Sequence, residues 1–155
     1  MSAKLLNCVP VMNVSGAPEL AAGALQRYLA EAVWFPTALL PSNGVQWDAI
    51  SHFKACATLT HRQTTASLEF QFNAFGEITG AFTPSRYRYV KGLWQPTPWK
   101  CHYSNYADRS GMRIPLAGEV EWQLPDGPLP YWRGRITDVA YEFAETELGP
   151  KLCSG

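Results

Sequence analysis

Of the chain's 155 residues, 46% are hydrophobic, 17% are charged and 13% are aromatic, a composition that excludes intrinsic disorder. We expect one domain over residues 1–155, since a domain of this length buries about 70% of the surface that its unfolded form exposes. The 13 basic residues balance the 13 acidic ones, and this neutrality argues against nucleic acid or an anionic membrane as a partner.

The cysteines and histidines show no metal-binding pattern. Four cysteines occur without a C-x-x-C pair, and the three histidines are not spaced to share a metal ion. The N-terminal "MSAKLLNCVPVMNV" is too interrupted for a secretory signal, and no run of 18 apolar residues could span a membrane. We therefore expect free thiols, a cytoplasmic location, no transmembrane span, and neither a metal nor another cofactor.

The first predicted elements are a strand at residues 6–14 and a long helix at residues 18–34. Pro36 is predicted to end the helix, because proline cannot continue it. Gln26 and Ala30 are expected to point away from the core. The apolar face of the helix is recognised by its three- and four-residue spacing and consists of Leu25, Leu29, Ala32 and Val33.

From residue 53 onwards the apolar period changes from 3.6 to 2, which is typical of half-buried strands. The segments "FKACATLT" and "ASLEFQFN" alternate in this way, and the polar "HRQT" between them predicts a hairpin. Glycine and proline are taken as the separators of the later strands. Those strands are predicted at residues 78–82, 86–90, 100–106, 112–116, 119–124 and 133–143.

The short connections exclude parallel crossovers, so we predict an α+β fold in which an antiparallel meander of seven or eight strands packs on one long N-terminal helix. A helix of about 25 Å cannot cover seven strands spaced about 4.8 Å apart, so part of the apolar sheet face should line a cavity. That face is predicted to contain Leu68, Phe70, Phe72, Val120, Trp122, Val139, Tyr141 and Phe143.

Four segments together resemble a bacterial family known only as a domain of unknown function. They are "RYLAEAVWFPTALLPS" at 27–42, "PTPW" at 96–99, "GMRIPLAGEVEW" at 111–122 and "YWRGRIT" at 131–137. The resemblance begins near "VPVMNVSG" and corresponds to the C-terminal portion of longer members. It implies a sheet wrapped around helices, similar to the half-barrel of bacterial lipoprotein carriers, and brings no established activity. The chain departs from the family pattern at "SHFKACATLTHRQ" and "KCHYSNYADRSG".

The catalytic candidates are Glu31, Glu119, His102 and Tyr106. Glu31 lies one turn after Arg27, which permits a solvated ion pair; facing the sheet instead, a desolvated Glu31 could act as a general base. Glu119 and Glu121 share one strand face, which is either a solvent-facing acidic edge or, if turned inward, a pair of the glycosidase kind. Cys101 and His102 are neighbours on a strand and should face opposite sides, so a Cys/His dyad is not favoured.

The ligand-binding candidates are basic and aromatic side chains that could line the predicted cavity: Arg27, Tyr28, Trp34, Arg86, Trp99, Trp122 and Trp132. The segment "RYRYVKG" also fits stacking on single-stranded nucleic acid, but strand alternation explains it equally well and the neutral charge argues against nucleic acid.

The leading interpretation is a binding protein for a small apolar or amphiphilic molecule, with Arg27, Glu31, Arg86 or Tyr106 fixing its polar end. The alternative is a hydrolase or other acid/base enzyme that uses a buried carboxylate with a tyrosine or histidine in the same cavity. A third possibility is a structural module whose cavity is filled by side chains.

We also expect a homodimer. If the surface that the longer members' N-terminal half covers is exposed here, a second copy could cover it through a self-complementary interface. The interface is predicted at the sheet edges or at the strands around Phe70 and Trp122.

Overall fold

The computed structural model describes residues 18–142, which form one α-helix, three short 3-10 turns and seven strands. The predicted strand at 6–14 and Phe143 lie outside the described residues. The elements are α1 (Pro18–Glu31), β1 (Gln46–Ser51), β2 (Lys54–His61), β3 (Thr64–Phe72), β4 (Ile78–Val90), β5 (Leu93–Arg109), β6 (Met112–Leu124) and β7 (Gly127–Arg135).

The seven strands form one antiparallel sheet in which each strand pairs with the next along the chain. β1 and β7 do not pair with each other, so the sheet is open and resembles a half-barrel. Two hairpin turns, Lys91–Gly92 and Ser110–Gly111, have positive φ at both residues, as tight two-residue turns require. The predicted α+β fold with an antiparallel meander and one long helix is confirmed.

The strands of the sheet's centre are longer than predicted, because proline inside a strand does not always end it. β4 joins two strands that were predicted separately, and Pro84 lies at the bulge between them, where the register shifts. β5 begins at Leu93 rather than at residue 100. Pro96 and Pro98 precede Trp99, the first residue that pairs with β6, so they lie where β5 has a partner on one side only. β6 likewise runs without a break through its predicted gap.

The predictions at the two ends of the sheet are wrong. β1 was not predicted, because its side chains are mostly exposed and give no alternating pattern. β7 ends at Arg135, so residues 136–142 form no regular strand. Val139 and Tyr141 therefore do not lie on the apolar face of the sheet. Tyr141 instead donates a hydrogen bond of 2.8 Å from its hydroxyl to the carbonyl of Trp34.

The α-helix ends three residues earlier than predicted. Ala32–Trp34 forms a 3-10 turn, and Pro36 begins a second 3-10 turn instead of ending the helix. The α-helix packs against β2, β3 and β4, and the 3-10 turn at Ala32–Trp34 contacts β6. The chain after the helix therefore crosses towards the far strands of the sheet and carries Trp34 with it.

The buried face of α1 is broader than the predicted stripe. Leu29 and Val33 are buried as expected, but Gln26 and Ala30, predicted to point away, are buried as well. Small side chains such as Ala30 let the helix backbone approach the sheet closely. The amide of Gln26 donates a hydrogen bond of 3.4 Å to the hydroxyl of Thr83 on β4, so a polar contact replaces the expected solvent.

The core lies between the helical segment and the inner face of β2 to β5. Burial of each large apolar side chain contributes about 1.5–3 kcal/mol to folding. Trp47 packs 5.4 Å from Phe70, between ring centroids, and its indole N–H donates to the carbonyl of Leu39. The largest completely buried side chains are Phe70, Leu29, Leu68, Ile114, Val45, Pro115 and Cys101.

Among residues 18–142, no helix has both the length and the apolar character needed to cross a bilayer.

Candidate functional site

A cleft of about 330 Å³ opens beside the C-terminal end of α1, over the inner face of β4 to β7. It exists because α1 covers β2 to β4 and leaves the inner face of the later strands partly open. The cleft is lined by Arg27, Ala30, Glu31, Trp34, Arg86, Trp99, Cys101, Tyr103, Val120, Tyr131 and Trp132.

Trp34 forms a rigid wall of this cleft. Its indole N–H donates a hydrogen bond of 2.9 Å to the carbonyl of Pro115 on β6. Its ring meets Tyr103 and Trp132 edge to face, at centroid distances of 6.0 and 6.1 Å. Such contacts contribute about 0.5–1.5 kcal/mol beyond burial, so the aromatic wall is held in place before any ligand arrives.

Two glycines form the backbone platform under these rings. Gly118 on β6 pairs with Gly134 on β7. A Cβ atom at Gly134 would lie 2.5 Å from the ring of Trp132, and one at Gly118 would lie 3.1 Å from the ring of Trp34. The absence of both Cβ atoms is therefore what lets the two indoles lie against the sheet.

Arg86 supplies a positive charge to the cleft. Its guanidinium carbon lies 4.5 Å from the ring centroid of Trp99, a cation–π arrangement. Its Nη1 atom donates a hydrogen bond of 2.5 Å to the carbonyl of Gly23 on α1. Burial lowers the pKa of Arg86, because it removes water from around the charged guanidinium. The indole N–H of Trp99 donates to the hydroxyl of Tyr131 at 2.8 Å.

Arg27 and Glu31 form the predicted ion pair at the mouth of the cleft. The Nε atom of Arg27 lies 2.6 Å from Oε1 of Glu31. The side chain of Arg27 is 61% exposed, whereas that of Glu31 is 29% exposed. The pair thus combines features of both interpretations: it is a helix-surface pair, and its carboxylate borders the cleft.

The floor of the cleft is electrically neutral. Burial raises the pKa of the Cys101 thiol to about 12 and raises that of the Tyr103 hydroxyl well above its usual value. The Tyr103 hydroxyl donates a hydrogen bond of 2.8 Å to the carbonyl of Ala30 in the helix. At neutral pH neither group ionises, so Cys101 is not an activated nucleophile.

His102 and Glu119 lie on the opposite face of the sheet, because they alternate with the inward-facing Cys101 and Val120. They border an open groove of about 530 Å³. The Nε2 atom of His102 lies 2.8 Å from Oε1 of Glu121, and this hydrogen bond is the main cause that lowers the pKa of Glu121. Glu119 pairs with Arg133. Of the two interpretations of Glu119 and Glu121, the inward-turned pair of the glycosidase kind is therefore excluded, because both lie on the face of the sheet opposite the cleft.

The remaining candidates are dispersed. Tyr28 lines a second cleft of about 340 Å³ between α1 and β2–β3. Tyr106 donates from its hydroxyl to the carbonyl of Ile78 at 2.8 Å, and burial raises its pKa to about 12. Trp122 stacks on Tyr131 at a centroid distance of 5.7 Å, behind the cleft rather than in it. Of the predicted residues, the cleft brings together Arg27, Glu31, Trp34, Arg86, Trp99 and Trp132.

Of the lining residues, Tyr103 was not predicted, and Tyr131 was predicted only as a turn residue that, with Trp132, could cap a cavity mouth or seal the core. Tyr103 could have been found, because it continues the alternation of Trp99 and Cys101 along β5. Tyr131 precedes Trp132, and neighbours on a regular strand face opposite sides. The register of β7 shifts at Tyr131, which has no paired residue on β6, and this bulge brings both aromatic rings to the cleft.

Within residues 18–142, no group of three or more His, Cys, Asp or Glu side chains is arranged to hold a metal ion. Cys56 and Cys101 are both free thiols.

The fold and the cleft define an α+β protein with an open, half-barrel-like antiparallel sheet around one helix. The chain belongs to a family of unknown function, DUF6920, whose model matches residues 1–141. The predicted membership of a domain-of-unknown-function family is confirmed, and the match begins at residue 1 rather than near Val9. No curated protein and no solved structure matches the chain. The likeness to lipoprotein carriers stays a prediction.

Proposed function

We propose that the cleft beside α1 binds a small apolar or amphiphilic molecule. The observation that carries this proposal is a volume of about 330 Å³ surrounded by indole and phenol rings, with guanidinium and carboxylate groups at its border. Small-molecule sites typically have a mainly apolar lining and a few convergent polar groups, and begin at about 300 Å³. At about 30 Å³ for a water-sized group, the ligand has on the order of ten non-hydrogen atoms.

The side chains that form the walls of the cleft are already held in place, which supports binding over a purely structural role. The indole N–H groups of Trp34 and Trp99 are already engaged in hydrogen bonds, so these rings lose little conformational freedom when a ligand enters. Tyr131 and Trp132 are 51% and 43% exposed at the mouth. A module with a filled cavity would instead bury these aromatic rings against each other.

The enzymatic alternative needs a carboxylate and a histidine or tyrosine in the same cleft. Of the four predicted catalytic residues, Glu31 alone lines it, and His102 and Glu119 lie on the other face of the sheet. The cleft also holds Tyr103 and Tyr131, but the Glu31 carboxylate is engaged by Arg27 and the Tyr103 hydroxyl donates to the carbonyl of Ala30, so we retain binding. If Glu31→Gln removed a trace activity against esters, glycosides or lactones, the enzymatic alternative would be preferred.

A thermal-shift screen with fatty acids, terpenoids and aromatic compounds tests the proposal. A ligand present at 100 times its Kd adds about 2.7 kcal/mol, which for this length raises Tm by about 5 to 10 °C. Val120→Phe fills the cleft and should abolish the shift. Val90→Phe is the matched control, since it makes the same change at the β4–β5 turn, outside the cleft. Equal shifts in both variants would place the binding elsewhere.

We further propose that the chain forms a homodimer through β1. Phe70 is completely buried, so it is not available for the interface predicted around it. The edge of β7 carries Pro128 and Pro130, which have no N–H group to offer a partner strand. No described strand pairs with the outer edge of β1. Light scattering at micromolar concentration should give twice 17.2 kDa, and a mass near 17.2 kDa would refute the dimer.

We infer a cytoplasmic location from the free thiols of Cys56 and Cys101, since a reducing compartment preserves them. Cell fractionation with an antibody against the chain tests this, and recovery in a secreted or envelope fraction would contradict it.

A further inference from the structure

Arg86 is incompletely satisfied where it lies. A guanidinium has five N–H donors, and Arg86 uses one of them for the carbonyl of Gly23. None of the ion pairs within 4.0 Å among residues 18–142 involves Arg86. Its charge rests on the face of Trp99, half-buried in the wall of the cleft. An anion that enters the cleft would therefore meet donors that are already desolvated.

The hydroxyl of Tyr131 is a second available donor. It accepts the indole N–H of Trp99, and among the described residues its own O–H has no acceptor. Trp99 thus contacts Arg86 through its ring face and Tyr131 through its N–H. Arg86 lies over the face of this indole and the Tyr131 hydroxyl lies at its N–H edge, so both donors border the cleft beside Trp99.

The other charges of the cleft do not compete for an anion. Glu31 is engaged by Arg27 at 2.6 Å, so that pair is neutral. Arg86 then leaves the lining with one positive charge in excess, and the floor at Cys101 and Tyr103 is uncharged. A cationic head would be repelled by Arg86 and would have to displace Arg27 to reach Glu31.

We infer that the cleft selects molecules with a carboxylate head, which Arg86 and the Tyr131 hydroxyl hold while the apolar body packs against the rings of Trp34 and Trp132. This inference rests on the proposed binding function and names the class of its ligand. Hydrogen bonds to a charged group are roughly twice as strong as neutral ones, and a guanidinium fits a carboxylate bidentately. The apolar body is either a short alkyl chain or a single aromatic ring.

The test compares matched probes of about ten non-hydrogen atoms in titrations followed by tryptophan fluorescence and calorimetry. They are 3-phenylpropanoate, 3-phenylpropanamide and 3-phenylpropylammonium, with octanoate and octanamide as the alkyl pair. We expect each carboxylate to bind the wild-type chain at least about tenfold more tightly than its amide, and the ammonium more weakly still. Comparison of the aromatic and alkyl carboxylates identifies the preferred body.

Variants locate the effect. Arg86→Met should reduce the preference for carboxylate over amide to near one, and Tyr131→Phe should reduce it by a few fold. Arg88→Met is the matched control: Arg88 lies two residues further along β4 and over Trp122 at 5.8 Å, outside the cleft lining, so the preference should persist. Arg86→Lys keeps the charge without the planar fork, and should retain part of the preference even if Arg86→Met does not fold.

The outcomes separate the two claims. Equal binding of carboxylate and amide by the wild-type chain overturns the carboxylate inference and leaves the binding proposal standing. A carboxylate preference that survives in Arg86→Lys and Tyr131→Phe at its full wild-type value overturns the assignment of these two residues. If no probe binds and the broader screen is also silent, the proposed function fails and the inference fails with it.

Discussion

Tyr103→Phe should separate the polar contribution to helix docking from the apolar one. The Tyr103 hydroxyl is buried and donates to the carbonyl of Ala30, one of the last four carbonyls of α1, which have no partner within an α-helix. The substitution removes one oxygen and leaves the ring, so no cavity of side-chain size forms. What remains is a buried carbonyl without its donor.

The expected loss is about 1–3 kcal/mol, the cost of a buried acceptor left without its hydrogen bond. For a chain of this length, a loss of 2 kcal/mol lowers Tm by about 4–8 °C. Urea denaturation at pH 7, followed by circular dichroism, measures the free energy of unfolding. Tyr89→Phe is the control, because Tyr89 is 61% exposed and its substitution should change stability by less than about 0.5 kcal/mol.

The same variant should flatten the alkaline pH dependence. Because burial raises the folded-state pKa of Tyr103 above its ordinary value of 10.0, the contribution of its neutral form to stability is complete below pH 10.0. That contribution is lost as pH rises from there towards the folded-state pKa. Each such group adds a slope of about 1.4 kcal/mol per pH unit, so Tyr103→Phe should lose stability less steeply above pH 10.0 than the wild type.

The reasoning about Tyr103 is refuted if Tyr103→Phe matches the wild type within 0.5 kcal/mol at pH 7 and keeps the wild-type alkaline slope. Cys101 and Tyr106, whose pKa values burial raises to about 12, should still produce an alkaline slope in the variant. A slope of zero in Tyr103→Phe would therefore be equally inconsistent with the structure.

Three further perturbations have clear expectations. Gly134→Ala should displace the ring of Trp132, because the new Cβ would lie 2.5 Å from it; tryptophan emission should shift, and an unchanged spectrum would contradict the platform. His102→Ala should lower the free energy of unfolding by about 1 kcal/mol above pH 4.5, because it removes the hydrogen bond to Glu121, and by less as pH falls through the lowered pKa of Glu121. Urea denaturation over a series of acid pH values measures this loss, and a loss that does not change with pH would contradict it. Trp34→Phe should lower the free energy of unfolding by about 2 kcal/mol, because it removes the hydrogen bond to the β6 backbone and weakens the edge-to-face contacts. Calorimetry measures this change, and an unchanged Tm would contradict the role of Trp34 as an anchor.

The fold could be predicted from the sequence wherever the local pattern of apolar and polar residues determines it. Alternation along β2 and β3, with a polar turn at Arg62, predicts their hairpin, because one buried face and a tight turn fix the register. The ends of strands that contain proline could not be predicted from the sequence. A proline such as Pro96 interrupts a strand only if its missing N–H would face a neighbouring strand, and the position of that neighbour is set by the tertiary fold.

The cleft was predictable in part for the same reason. Helical spacing places Arg27 beside Glu31, whereas Trp99 precedes the strand predicted at residues 100–106 and was a candidate only as an aromatic side chain. Tyr131 was suggested by its place at a turn beside Trp132 and not by strand spacing, because the bulge that turns it inward depends on its register with β6. Glu31 was wrongly grouped with Glu119 because alternation along a strand tells only which residues share a face of the sheet. It does not tell which of the two faces the helix covers.

The neutral net charge of the chain says little about the cleft, because individual ion pairs among the described residues decide which charge is left without a partner there. Carboxylates that could balance Arg86 are held elsewhere: Glu31 by its helix neighbour Arg27, and Glu119 on the far face of the sheet by Arg133. Alternation along β6 places Glu119 and Glu121 on the face away from the cleft. The i, i+4 spacing on α1 pairs the remaining carboxylate, Glu31, with Arg27. The local pairing rules of strand and helix thus leave Arg86 as the uncompensated charge beside an aromatic cleft, even though the sequence as a whole is balanced.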